Sequence, residues 1–368
     1  MTRNAYPLLD PPAFPDDRYA AIADRLRALL KTSADLLIVQ AEAVFALEAV
    51  ASGLARPGLA AINVVTSPYG RFFGAWLRRG GATVHDVIAA AGQPVTLAAV
   101  STALDGLPRA DVVALVHGEA ANGALNPLPE IAALARRRAA LVVVDAVASV
   151  GAHRLDLDEF GIDIGVIGPQ KALAGPAGLS AVTVSDRAWQ RLTSPPALTA
   201  SALSLVDLKR DWLDRGRGAL PGTPAPLEFW ALEAALDRIE AEGIDALIAR
   251  HGRAAAASRA GLRALGITPW IEDDASASAL VTSAPVPQGI DADRLIALAA
   301  GLGVPLGRGF GEVEGRLVRL NHTGPRAAFS PVLANVIAYG KALSALGRRV
   351  DIGAAADAVA MVYANPTA

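Results

Sequence analysis

Two apolar runs, each closed by a functional group, constrain this chain more than any other feature. Residues 141–144 (LVVV) end at Asp145, and Ile164–Ile167 (IGVI) is followed by a polar turn whose last member is Lys171. Short runs rich in Val and Ile read as strands buried on both faces of a sheet. An acid and a lysine at the ends of two such strands face one crevice, where open α/β sheets bind their ligands. The chain has only Lys31, Lys171, Lys209 and Lys341 and uses Arg elsewhere. Lys171 is the one that closes an apolar run. Chemistry that needs an amine able to lose its proton requires Lys, because Arg stays charged.

The neighbouring sequence extends this pattern. A helix is expected over 17–31, a strand over 36–40 and a helix over 43–54. Strands at 60–65, 83–87 and 112–117 then alternate with helices at 71–79, 95–103 and 129–138, and 180–184 adds a strand after the lysine turn. Such alternation implies βαβ units and a mostly parallel sheet. A chain of 368 residues exceeds what one core usually serves. The division expected is an extended Pro-rich arm at 1–17, a large domain at 18–245 and a smaller C-terminal α/β domain at 246–368. The Gly/Pro-rich segment 215–226 (RGRGALPGTPAP) reads as a long functional or interface loop. Beyond it lie a helical stretch at 227–265 broken near Gly243, apolar runs at 267–271 and 279–282, a helix at 291–302, a strand at 316–320 and a helix at 331–346.

Composition removes several function classes. The net charge is −2 with both signs interspersed, which marks neither a nucleic-acid surface nor an anionic-membrane binder. Zero cysteines exclude disulfides, thiolate catalysis and Cys-ligated metal. His85, His117, His153, His251 and His322 show no metal-ligand spacing, so no metal is expected. No apolar run approaches the roughly eighteen residues of a membrane span. The N-terminal segment carries acids and prolines where a signal peptide needs an apolar core, so a cytoplasmic protein is expected.

A lysine amine forms a Schiff base with an aldehyde, and a carboxylate keeps a pyridinium nitrogen protonated. Together they point to pyridoxal chemistry, in which the ring is the electron sink. Tyr69, in the turn 66–71 after a strand, is placed to cover a flat ring. Arg308 and Arg319, at strand edges in the C-terminal part, are candidates for a substrate carboxylate. Without that chemistry, Asp145 and Glu42 would be ordinary helix N-terminal acids.

HGEAANGALNP (117–127), the strand ending at Asp145, GPQKALAGPAGL (168–179) and RLVRLNHTGP (316–325) resemble the class V aminotransferases of the fold-type I pyridoxal 5′-phosphate (PLP) enzymes. The likeness runs from about residue 40 to 349. It implies a fold-type I α/β architecture and a homodimer or homotetramer. Glyoxylate-type members carry a Ser-Gly-His turn that receives the cofactor phosphate, where this chain has Glu42-Ala43-Val44. A phosphate of charge near −2 about 5 Å from a carboxylate would be repelled by about 6–7 kcal/mol at an effective dielectric of 20. Glu42 is therefore similar to the arrangement in the pyridoxamine–pyruvate branch of the family. Segments 42–54, 178–189, 201–212 and 307–309 resemble that branch too.

The resemblance implies a role for each site residue. Lys171 holds pyridoxal and moves the proton, Asp145 pairs with the ring nitrogen, Tyr69 stacks on the ring, and Glu42 binds the hydroxymethyl group. Arg308 and Arg319 hold the carboxylate of pyruvate or L-alanine. Ala120 stands where the family has a Thr beside the ring hydroxyl, a contact that is either lost here or supplied by Asn122 or Ser149. Gln170 and Thr223 contact the phosphate in phosphate-binding relatives. The reaction implied is pyridoxamine plus pyruvate giving pyridoxal plus L-alanine, with no tightly bound cofactor. The alternatives are a PLP-dependent alanine- or serine–glyoxylate-type aminotransferase and a catalytically idle B6-binding protein.

Overall fold

The computed structural model describes residues 10–365, and among these ten strands form two sheets. The first sheet contains β1 (Asp35–Val39), β2 (Ala60–Val65), β3 (Thr83–Ile88), β4 (Val112–Val116), β5 (Leu141–Asp145), β6 (Ile164–Ile167) and β7 (Ser180–Val184). Their order is β1-β7-β6-β5-β4-β2-β3. From β3 to β6 every neighbouring pair is parallel, while β7 is antiparallel to both β6 and β1. Every residue of β4, β5, β6 and β7 is buried. Burial on both faces leaves no room for polar alternation, which is why these strands read as unbroken apolar runs.

The parallel direction carries the polar residues to one edge. Glu42 follows β1, Tyr69 follows β2, Glu119 follows β4, Asp145 ends β5 and Lys171 follows β6. The helix after β2 runs Pro68–Arg79, three residues earlier than the periodicity gives, because Ser67 caps it and Pro68 occupies its first turn. Tyr69 therefore stands on a helical turn rather than in a loop.

The second sheet is antiparallel, β8 (Val281–Pro285), β10 (Leu317–Asn321) and β9 (Gly307–Arg308), in the order β8-β10-β9. The apolar run 267–271 is no strand. Pro269 offers no N–H, and the segment is tied to β8 only locally, through Trp270 N donating to Ser283 O at 2.9 Å. A helix at Ile352–Ala364, absent from the sequence reading, starts at an Asp351 cap. Its alanines lie all round the helix and blur the apolar stripe that would have revealed it.

One hydrophobic core gathers residues between Phe14 and Leu247 around the first sheet, and another gathers Ala254 to Val359 around the second. The helix Ile244–Ala264 contributes to both. No helix among the described residues is long and apolar enough to cross a membrane. Residues 1–9 of the expected arm lie outside the described residues. Phe14 packs into the chain's own first core. Its ring lies 5.2 Å from Tyr19, 5.5 Å from Phe229 and 4.9 Å from Trp230, and Trp230 Nε1 donates to Pro12 O at 2.9 Å. Phe14→Ala is expected to cost about 3–5 kcal/mol in urea denaturation. A loss below about 1 kcal/mol would mean that this segment is a dispensable arm.

Candidate active site

Lys171 sits on the connection from β6 to β7, a turn fixed from several sides. Gly175 N donates to Pro169 O at 2.7 Å and Ala174 N to Lys171 O at 3.0 Å, with Ala174 left-handed at φ 51°. Arg238 Nη2 holds Leu173 O at 2.8 Å. Gly324, beyond β10, packs directly on the turn at φ 59°. A Cβ there would meet Ala174 Cβ at 3.0 Å and Lys171 O at 3.1 Å, so only glycine permits this approach. Lys171 Nζ lies 5.7 Å from the centroid of the Tyr69 ring. Burial pulls the amine below its ordinary value, against Asp145, Glu119 and Glu42, which favour the charged form.

Asp145 ends β5 only 7% exposed, and its Oδ1 accepts from Val147 N at 3.0 Å. Burial raises its carboxyl, with the Lys171 charge opposing. Glu42, Tyr69, Glu119, Asp145 and Lys171 border one cavity. Lys171 and Ala120 also border an adjoining cleft of about 330 Å³ that Arg319 enters from β10. Arg319 Nη1 donates to Ala120 O and Nε to Arg308 O, both at 2.9 Å. It forms no ion pair with a carboxylate among the described residues, so its charge is available to a ligand.

Glu42 is the N-cap of the helix Ala43–Leu54. Its Oε2 accepts from Val44 N at 2.8 Å, and its Oε1 accepts from Gln170 Nε2 at 2.9 Å. The lysine turn and the end of β1 are joined by this pair. Gln170 Oε1 is buried without a partner.

Three expected site residues are not brought to the cavity. Arg308 is ion-paired with Asp293 and half exposed, because β9 turns its side chain toward the helix Ala292–Gly301. Ser149 is fully buried and donates to Ala146 O at 3.2 Å, closing its own turn. Thr223 is exposed on the loop before Pro226. Asn122 is also committed, donating to Thr66 O at 2.8 Å and accepting from Ala124 N at 3.0 Å. Sequence reasoning missed Glu119. Its signal was an acid set between Gly118 and Ala120 just beyond a wholly apolar strand.

Four histidines form a largely buried series between the two cores. His117 and His153 stand 5.7 Å apart, and His153 Nε2 accepts from Ala279 N at 2.9 Å. His251 donates from Nδ1 to Leu247 O at 2.9 Å and accepts at Nε2 from Gly324 N at 3.0 Å; His322 Nε2 meets Thr282 Oγ1 at 2.9 Å. Burial lowers all four, His117 and His322 to about 3 and His153 to about 4. Unfolded, they titrate near 6.5. Below that pH the unfolded chain takes up protons the native chain refuses, so their stabilisation is present above about pH 6.5 and lost toward pH 4. Asp145 and Glu119, both raised by burial, act in the opposite direction and offset part of this. Stability is expected to fall as the pH is lowered from about 6.5 toward 4.5, because the histidines held lowest stay neutral in the native chain while their unfolded counterparts take up protons. Urea denaturation across this range checks it, and a flat profile from pH 7 to 5 would contradict it.

A lysine after one buried strand, an acid at the end of the next and an aromatic ring over the cavity define a fold-type I pyridoxal-dependent transferase. The class-V aminotransferase profile matches residues 18–314. The pyridoxamine–pyruvate transaminase of Mesorhizobium japonicum is 34% identical over 346 residues, covering 94% of this chain and 88% of its own. The crystal structure of pyridoxamine–pyruvate aminotransferase from Mesorhizobium loti matches with a TM-score of 0.91 at 33% identity, covering 95% of this chain and 89% of that one. The alanine–glyoxylate aminotransferase of Callithrix jacchus is 29% identical over 297 residues, 79% of this chain and 71% of its own. The chain belongs to the class-V aminotransferase family, whose cofactor chemistry is that of PLP.

Proposed function

We propose that this chain moves an amino group from pyridoxamine to pyruvate, giving pyridoxal and L-alanine, with unphosphorylated vitamin B6 as a substrate rather than a resident cofactor. The observation that carries this reading is the seat of Glu42. A helix N-terminus offers free N–H groups and partial positive charge, a ready site for a phosphate. In the helix Ala43–Leu54 that site is already filled by the chain's own carboxylate, held on Val44 N and Gln170. A doubly charged ester would meet this carboxylate with the repulsion of several kcal/mol given above. An uncharged hydroxymethyl group would donate a hydrogen bond to it. The similarity to pyridoxamine–pyruvate transaminases supports the same reading.

When bound, the B6 ring supplies the electron sink for the proton shift. Lys171 Nζ, made easier to deprotonate by burial, serves as nucleophile and then as the base that carries the proton. Asp145 holds the ring nitrogen protonated, and Tyr69 covers the ring face. Gln170 orients Glu42. Arg319 receives the carboxylate of pyruvate from the cleft. Arg308 joins it only when the pair with Asp293 opens, and Thr223 has no role within one chain. The half-exposed rings of Phe72 and Phe310 beside Tyr69, with the exposed Phe45, support assembly as a homodimer or homotetramer. Similarity to glyoxylate aminotransferases favours the second reading, a PLP-dependent enzyme.

Steady formation of pyridoxal from pyridoxamine and pyruvate, followed by absorbance, tests the proposal. Lys171→Ala is expected to abolish turnover, and Arg319→Ala to raise the KM for pyruvate about 10- to 100-fold, the loss of a charge-assisted hydrogen bond. Glu42→Ser is expected to lower kcat/KM for pyridoxamine. Turnover only with added PLP and glyoxylate would establish the second reading, and binding without any turnover would indicate an idle protein.

A further inference from the structure

We propose that Glu119 is a further ligand-binding residue, donating a hydrogen bond from Oε2 to the ring oxygen of bound vitamin B6, on the ring edge opposite the one that meets Glu42. This rests on the reading above only in that a B6 ring occupies the cavity.

Glu119 follows β4 and is fully buried. Its Oε1 accepts from the Thr66 hydroxyl, and that hydroxyl oxygen in turn accepts from Asn126 Nδ2 at 3.0 Å. Asn126 Nδ2 is itself held by Val116 O at 2.8 Å. The direction of this relay leaves Thr66 as a donor and Oε1 as an acceptor. Oε2 has no hydrogen-bond partner among the described residues. The Ser67 hydroxyl lies near enough to favour the charged form without reaching hydrogen-bond geometry to Oε2. A buried polar atom left without a partner is destabilising, so one that faces a cavity calls for a ligand. Here that atom belongs to a residue bordering the same cavity as Lys171 and Asp145. Burial raises the Glu119 carboxyl to about 7, so it can hold a proton to donate.

The ring's own chemistry fixes which edge Glu119 meets. The 4-carbon lies opposite the ring nitrogen, with the 3-oxygen on one side of it and the 5-hydroxymethyl group on the other. With the nitrogen at Asp145 and the 5-substituent at Glu42, the 3-oxygen faces away from Glu42. The strand order β1-β7-β6-β5-β4 puts Glu42, after β1, on one flank of Asp145 and Glu119, after β4, on the other. On that flank Ala120 has no polar side chain, and Asn122 and Ser149 are already bonded. His117 Nδ1 is also unpartnered, but its ring faces His153 and does not border the cavity.

The test is calorimetric titration of pyridoxamine and of its analogue with hydrogen in place of the 3-hydroxyl. In the unaltered protein, loss of the oxygen is expected to weaken binding about 10- to 100-fold, the range of a hydrogen bond to a charged group. Glu119→Met, which keeps volume but no donor, is expected to bind both ligands equally. Glu119→Gln, whose amide still donates, is expected to keep most of the difference. A purely structural role would weaken both ligands alike in Glu119→Met and leave their ratio unchanged, and that result overturns the proposal. An unaltered protein that does not distinguish the two ligands also overturns it. PLP and 3-deoxy-PLP carry the same edge, so a protein that binds only the phosphorylated pair defeats the free-vitamin reading while still reporting on Glu119. Should Glu119→Met not fold, Glu119→Leu, which also lacks a donor, takes its place, with the same two outcomes.

Discussion

The site depends on one arrangement, the Lys171 amine held out of water opposite the Asp145 carboxyl. Burial alone would neutralise both groups, lowering the lysine and raising the aspartate, while their attraction favours the charged pair. Burial is the larger effect on each, so the lysine gives up its proton and the aspartate takes one more readily than either would in water. That is the condition a proton-transfer site requires. Glu119 and Glu42 act on the pair from opposite flanks. The rest of the fold serves to hold it: buried strands deliver the acid and the lysine, and Gly324 lets the segment after β10 close directly on the lysine turn.

Glu42 joins two tasks that are usually separate. As an N-cap it stabilises the helix Ala43–Leu54, and through Gln170 it fixes the turn that carries Lys171. By filling the helix end it also takes the place where an anion would bind. Stability and ligand selection therefore rest on the same carboxylate. Removing it alters the local structure as well as the charge, so charge-preserving comparisons of ligands are more informative than deletion alone.

Much of this was legible in the sequence. Strands buried on both faces admit little but Val, Ile and Leu, so β4, β5 and β6 stand out, and an acid or lysine at their ends is costly enough to signal chemistry. Asp145, Lys171, Tyr69 and Glu42 do border one cavity. What stayed hidden depends on tertiary geometry. The pair between Arg308 and Asp293 spans fifteen positions, and the bond from Gln170 to Glu42 spans 128. Glu119 lies in a loop of Gly and Ala that shows no periodicity, and its importance comes from burial, which no local pattern reveals. The second sheet was the least legible part, because β9 is two residues long and an alanine-rich helix carries little apolar contrast.

Equilibrium titration of the unaltered protein with pyridoxal and with PLP, at one pH and ionic strength, tests the central claim most directly. The account predicts that pyridoxal binds more tightly and that PLP is lost on dialysis. One equivalent of PLP retained per chain after dialysis, with pyridoxal the weaker ligand, would contradict it.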